Sequence, residues 1–249
     1  MSMTYTRTRT GPPSPPPAPF LYLGLDLGQA NDFSALTIAE RNRRPRYHDE
    51  ARDDTPAKYR IGHLQRFALK TPYPAIVAQV ATLVRDLARR TPQPQLRLVV
   101  DATGVGRPVV DLLRQEHLPA ALIDVTITGG DSVTHEGRTY RVPKRDLVST
   151  VQVALQSERL KIAQQLPDAQ TLTRELLAFQ VKISAETAHD SYGAWREGAH
   201  DDLVLATALA VWYGEQDTLR CPPMPSFAFQ WGVPIDIAMP DRIDATELW

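Results

Sequence analysis

The chemistry this sequence can perform rests on a few aspartates. Asp26 lies in the run LYLGLDLG, Asp101 in LRLVVDATGVG, and Asp201 and Asp202 in HDDLVLATALAVW. An acid inside a strand of branched apolar residues is costly, because an unpaired buried carboxylate loses its hydration. Taken singly, each has a plain structural explanation. Asp26 and Asp101 can end their strands and cap the following turns, and Asp201 or Asp202 can cap a helix and complement its dipole. Taken together, two strand-end aspartates and one or two at a helix start can converge on one site and hold hard divalent cations. Two such ions about 4 Å apart activate a water and stabilise the leaving oxygen of a phosphodiester.

The elements that must position these acids are legible from periodicity. Leu21, Leu23, Leu25 and Leu27 alternate with Tyr22, Gly24 and Asp26, which predicts a strand with Asp26 on the face opposite the leucines. The turn GQANDF leads to a second strand at Ser34–Glu40, close enough to pair as a hairpin. A charged loop over 41–58 precedes a third strand near 59–68. Ile76, Val80, Leu83 and Leu87, with Val77 and Val84 beside them, place an amphipathic helix over 74–90. LRLVVDAT then reads as a strand sharing a face between Val99 and Asp101, followed by a helix at about 106–116 and a strand at AALIDVTI. Further helices are expected at about 143–157, 167–178 and 201–213. Three strands, a helix, then strand–helix–strand describes an α/β chain with a mixed sheet.

Composition bounds the rest. The chain has 249 residues, 43% hydrophobic and 23% charged, ordinary values for a globular protein with a sizeable core. No apolar run is long enough to span a membrane, and the N-terminus has no apolar stretch of a secretory signal. The lone Cys221 allows no internal disulfide, which suits a reducing cytoplasm. Seven of the nine residues from Gly11 to Pro19 are proline or glycine, so 1–19 reads as an extended tail. Periodicity is lost again over 215–249, which leaves residues 20–214 as the body. With a net charge of −1, any nucleic-acid binding must come from a local basic patch.

LGLDLGQANDFSALTIAE, VVDATGVGRPVVDLL and HDDLVLATALAVW, in that order, resemble the nuclease domain of phage terminase large subunits. The resemblance covers roughly residues 20–213. It implies the RNase H-like fold shared with Holliday-junction resolvases, antiparallel in its first three strands and parallel thereafter, with flanking helices. It also implies a metal-dependent endonuclease acting on DNA, with Asp26, Asp101 and Asp202 as catalytic metal ligands and Asp201 as an adjunct or substitute. Two ions are expected, Mg²⁺ with Mn²⁺ able to substitute, because every proposed ligand is oxygen. Terminases normally carry an ATPase motor before the nuclease, yet none of the five lysines follows a glycine, so no P-loop is present. The expectation is a motorless phage or prophage protein of the bacterial cytoplasm, with DNA and a separate motor or other packaging subunit as partners.

Other residues admit two readings. Arg138, Arg141, Lys144 and Arg145, in RTYRVPKR, can neutralise phosphates beside the site, or form a solvated loop leading into a helix. Lys144 carries a further family echo, a Val-Pro-Lys opening that helix. His200 can contact a metal or cap the helix, and Tyr192 and Trp195 can stack on bases or pack in the core. Two other functions stand beside the nuclease. An actin-like or sugar-kinase-like ATPase also opens on Gly-x-Asp-x-Gly and has a second phosphate loop that Asp101–Gly106 faintly resembles. It usually needs more chain, and it offers no role for His200-Asp201-Asp202. A non-catalytic DNA-binding relative keeps the fold without turnover.

Overall fold

A computed structural model describes residues 19–28, 32–42, 56–90, 95–186 and 201–217. Most of the Pro-rich stretches 1–19 and 215–249, with Tyr192, Trp195, His200 and Cys221, lie outside the described residues. Strands β1 (Phe20–Asp26) and β2 (Ala35–Arg41) form the expected antiparallel hairpin, and β3 (Tyr59–Arg66) extends it. Helix α1 (Tyr73–Arg90) then carries the chain to β4 (Gln95–Asp101), which lies parallel to β1 on its other side. Helix α2 (Gly106–Gln115) leads to β5 (Ala121–Thr128), parallel to β4.

Three short strands go beyond the sequence-based expectation: β6 (Thr134–Glu136), β7 (Thr139–Pro143) and β8 (Leu160–Ile162). Residues 139–143 are therefore an ordered strand, paired with β5 and β6, and not a loop. Helices α3 (Lys144–Gln156), α4 (Ala169–Glu186) and α5 (Asp202–Asp217) complete the described chain. The eight strands run in the order β6-β7-β5-β4-β1-β2-β3-β8. This is an α/β arrangement with flanking helices: β1, β2 and β3 pair antiparallel, β4, β5, β7 and β8 join in parallel, and β6 adds an antiparallel edge. Among the described residues no helix is long and apolar enough to cross a membrane.

The central strands are buried on both faces, and their alternation sorts the core into two halves. Leu21, Leu23, Leu25, Leu36, Leu98 and Val100 meet α1 and α2 through Ile76, Val80, Val84, Val109 and Leu113. Tyr22, Ala35, Ala39, Val99, Ile123 and Val125 face the other way, against the apolar residues of α3 and α5. Asp26 and Asp101 share this second face. Helix α5 is buried along almost all its length, as expected of a helix apolar all round.

The contact that sets α5 on the sheet is at Gly24. A Cβ there would lie 1.9 Å from the Ala206 carbonyl oxygen and 2.9 Å from the Ala210 nitrogen. The helix backbone thus rests directly on the strand backbone. Farther along α5, Tyr140 of β7 stands edge-on to Trp212 and Tyr213, and the Tyr22 hydroxyl donates to Asp217 Oδ2 at 2.9 Å. Because the obstacle at Gly24 is backbone, Gly24→Ala must displace the helix, and it is expected to lower unfolding stability by at least about 2 kcal/mol. Urea unfolding measures this, and an alanine variant as stable as the parent would show that strand and helix do not meet there.

Candidate active site

Register brings the first two acids together. Leu25 of β1 is the partner of Val100 of β4, so Asp26 and Asp101 follow side by side at the carboxyl ends of neighbouring parallel strands. Carboxyl ends of strands in open α/β sheets are where ligands bind. Asp202 arrives from the helix. It opens α5, one turn before Ala206, and Ala206 sits on Gly24, two residues before Asp26 on the same strand face. The Gly24 contact therefore sets Asp202 over Asp26.

Each carboxylate has a definite environment. Asp26 and Asp202 are both buried. Burial, followed by the charges of Asp101, Asp202 and Asp201, pushes the Asp26 pKa well above the ordinary carboxylate range, with Lys144 pulling the other way. Asp101 Oδ1 accepts the Thr103 N–H at 2.8 Å, so this acid does cap its turn, while its charge still acts on Asp26. Asp201 supplies the carbonyl that begins α5, accepting the Leu205 N–H at 2.9 Å, and its Oδ2 pairs with Lys144 Nζ at 3.0 Å. Asp202 Oδ2 accepts from Arg66 Nη2 at 2.9 Å.

Two residues that sequence reasoning missed complete the surroundings. Arg66, the last residue of β3, also lies 3.3 Å from Glu175 Oε1, and its guanidinium sits 4.0 Å from the Phe33 ring centroid. Glu175, on α4, is buried, and its Oε2 accepts the N–H groups of Leu203 and Val204 at 3.0 and 3.3 Å. It thereby satisfies donors at the start of α5. Burial pushes its pKa up to about 7, against the opposing pull of Arg66. The available signal was an acid beside Leu172 and Leu176 on a helical stripe that is otherwise apolar.

The four basic residues of 138–145 do not act as one cluster. Lys144, first in α3, stands with the acids through Asp201. Arg145 pairs with Asp131 and Asp146. Arg138, in the turn between β6 and β7, and Arg141, on β7, are exposed.

The donor set suits a hard divalent cation: it is all oxygen, excess negative charge surrounds Asp26, and the carboxylates come from adjacent elements. As these side chains stand, no group of three or more His, Cys, Asp or Glu among the described residues is disposed to hold a metal ion. Asp202 is drawn to Arg66, Asp201 to Lys144 and Asp101 to the Thr103 N–H. The glycines of the Gly-x-Asp-x-Gly and Asp101–Gly106 segments have packing roles of their own. A Cβ at Gly28 would lie 2.4 Å from the Asp32 carbonyl, and one at Gly106 would lie 2.0 Å from that of Asp101.

The raised Asp26 pKa gives a signed pH dependence. In its window, which begins at the ordinary carboxylate value and runs upward, the folded chain holds a proton that the unfolded chain has lost. Stability from this group therefore falls as pH rises. Asp26→Asn is expected to melt higher than the parent at pH 8 in EDTA, with the advantage shrinking toward pH 4. Thermal melts across that range measure it, and a variant less stable at pH 8 would assign Asp26 to an ordinary turn cap.

No protein-family model and no curated protein sequence matches the chain. Solved structures do. The large terminase nuclease from thermophilic phage G20c is 16% identical with a TM-score of 0.44, covering 77% of this chain and 81% of that one. A Mn-soaked, inhibitor-bound human cytomegalovirus terminase nuclease domain is 15% identical with a TM-score of 0.46, covering 79% and 83%. Thermus thermophilus RuvC is 12% identical with a TM-score of 0.38, covering 80% and 96%. The chain is similar in fold to the nuclease domains of large terminases and to RuvC.

Proposed function

We propose that this chain is a metal-dependent endonuclease that hydrolyses DNA phosphodiester bonds. The observation that carries the reading is the buried Asp26 carboxylate, set among the charges of Asp101, Asp202 and Asp201. Folding keeps like charges together at a cost, and such a strained feature is expected where function requires it. Asp26, Asp101 and Asp202, with Asp201 as an adjunct, would hold two Mg²⁺ ions, for which Mn²⁺ can substitute. The bound ions would supply Lewis acidity to the scissile phosphodiester and to the attacking water.

The protein's own groups do the positioning. Asp26 and Asp101 are fixed by strand register, and Asp202 by the seat of α5 on Gly24. Lys144 offsets part of the acid charge through Asp201. The exposed Arg138 and Arg141 are the cations of 138–145 best placed to meet phosphates. DNA packaging or processing in a phage-infected bacterial cytoplasm, alongside a separate ATPase motor, fits the motifs. Gly24, Gly28 and Gly106 of the two apparent phosphate loops are packed against backbone, and these glycines give no particular support to a nucleotide-binding function.

The purified protein is expected to nick or cut plasmid DNA with Mn²⁺ or Mg²⁺ and to be inert in EDTA. Asp26→Asn and Asp202→Asn should reduce cleavage by at least about 100-fold while staying folded. Cleavage that survives chelation, or folded variants that still cut, would remove this assignment.

A second measurement tests the DNA contacts. Replacing Arg138 and Arg141 by alanine is expected to weaken binding alike for all duplex sequences. The slope of log affinity against log salt should fall by about 0.9 per lost contact. An unchanged slope would make the hairpin ordinary surface.

A further inference from the structure

Arg66 occupies a position that the functional reading leaves unexplained. It is a largely buried guanidinium at the end of β3, and it meets two carboxylates at once. Its Nη2 is 2.9 Å from Asp202 Oδ2 and 3.3 Å from Glu175 Oε1. The two contacts are unequal in kind. The Asp202 contact is a hydrogen bond, whereas Glu175 Oε1 is buried with no hydrogen-bond partner, and Arg66 Nε is buried without one as well. The other Glu175 oxygen is fixed by the Leu203 and Val204 N–H groups, so Oε1 is held toward the guanidinium. Phe33 lies against the guanidinium face and limits where it can go.

We propose that Arg66 is a positioning residue that competes with a divalent cation for Asp202, and that Glu175 Oε1 is the second seat to which it moves. This rests on the metal-dependent reading above. The guanidinium that donates to Asp202 Oδ2 neutralises that carboxylate and sets a like charge beside any incoming ion, so the two cations compete for Asp202. A guanidinium that leaves Asp202 without a new anion nearby would be a buried charge lacking its partner, which is strongly unfavourable. Glu175 removes that penalty: it is anchored by α5 itself, its Oε1 already forms an ion pair with Arg66 at 3.3 Å without a hydrogen bond, and only a small shift of the planar group is needed. Arg66 thus sets how tightly the acids hold metal, and Glu175 tunes that threshold through Arg66. The arrangement suits a site that must not close on an ion until the ion outcompetes a resident cation.

The test measures Mn²⁺ binding by the EPR signal of the free ion, on the full chain without DNA, for the parent, Asp26→Asn, Arg66→Gln, Glu175→Gln and the Arg66→Gln/Glu175→Gln double variant. Arg66→Gln is expected to bind Mn²⁺ on the order of tenfold tighter, as for the loss of one competing hydrogen bond between charged groups. Glu175→Gln, which removes the second seat, should bind it severalfold more weakly. Because Glu175 acts through Arg66, the double variant should fall within about twofold of Arg66→Gln alone. Simple loss and gain of local charge would make the two effects additive, and that result would overturn the proposal. So would a folded Arg66→Gln protein whose affinity is unchanged or weaker. Should Arg66→Gln fail to fold, Arg66→Lys keeps the charge but replaces the planar guanidinium whose Nη2 meets both acids by a shorter ammonium, and it too should bind Mn²⁺ more tightly. Circular dichroism in EDTA establishes folding for each variant. Mn²⁺ binding that Asp26→Asn leaves intact would overturn the metal reading and this inference together. Binding that depends on Asp26 but ignores Arg66 would overturn this inference alone.

Discussion

At Gly24 helix α5 approaches β1 more closely than any side chain would allow, and the placement of the acids follows from that contact. A strand residue with any side chain would hold the helix off the sheet by the thickness of that group. With hydrogen there, the backbone of Ala206 and Ala210 settles onto the strand. One turn along the helix and two residues along the strand, the same geometry brings Asp202 to Asp26. The apolar surface of α5 supplies the driving force, since nearly every residue from Leu203 to Gly214 is buried. The fold brings two acids together as a by-product of packing a greasy helix on a bare stretch of backbone.

That packing has an electrostatic consequence which the surrounding residues moderate. Asp26 is left with three other carboxylates acting on it, and burial removes the water that would have screened them. Relief comes from separate elements: Lys144 from the start of α3, Arg66 from the end of β3, and the Thr103 N–H from the turn after β4. Each takes one of these acids, and Arg66 meets Glu175 as well. The charge balance is distributed so that no single cation neutralises the group.

Much of this was legible in the sequence, for identifiable reasons. The alternation of leucines with Tyr22, Gly24 and Asp26 fixed which face the acid takes, because a strand has a period of two. The ten-residue apolar run after His200-Asp201-Asp202 announced a central helix. What escaped were features that depend on distant partners. Strand β6 (THE) is exposed throughout and has no apolar alternation to reveal it; it exists because β7 offers an edge. The basic stretch 138–145 read as one charged patch, whereas pairing of β7 with β5 buries Tyr140 and Val142 and separates the cations between surface and site. Nothing in the local sequence marks Arg66. Its role comes from Asp202 and Glu175, which no local pattern connects to it.

The placement of Asp26 on the first described strand and Asp202 on the last described helix also governs when the acid set comes into being. Contacts between such distant segments form late, because the intervening chain must be organised before the loop between them can close. On a ribosome, β1 through β5 emerge and can pair while α5 is still being made, and during that time the sheet carries Asp26 and Asp101 without Asp202. A nascent or truncated chain therefore has no complete set of carboxylates, however well its sheet is formed. Whatever chemistry these acids perform is withheld until synthesis has passed residue 217 and the helix has docked.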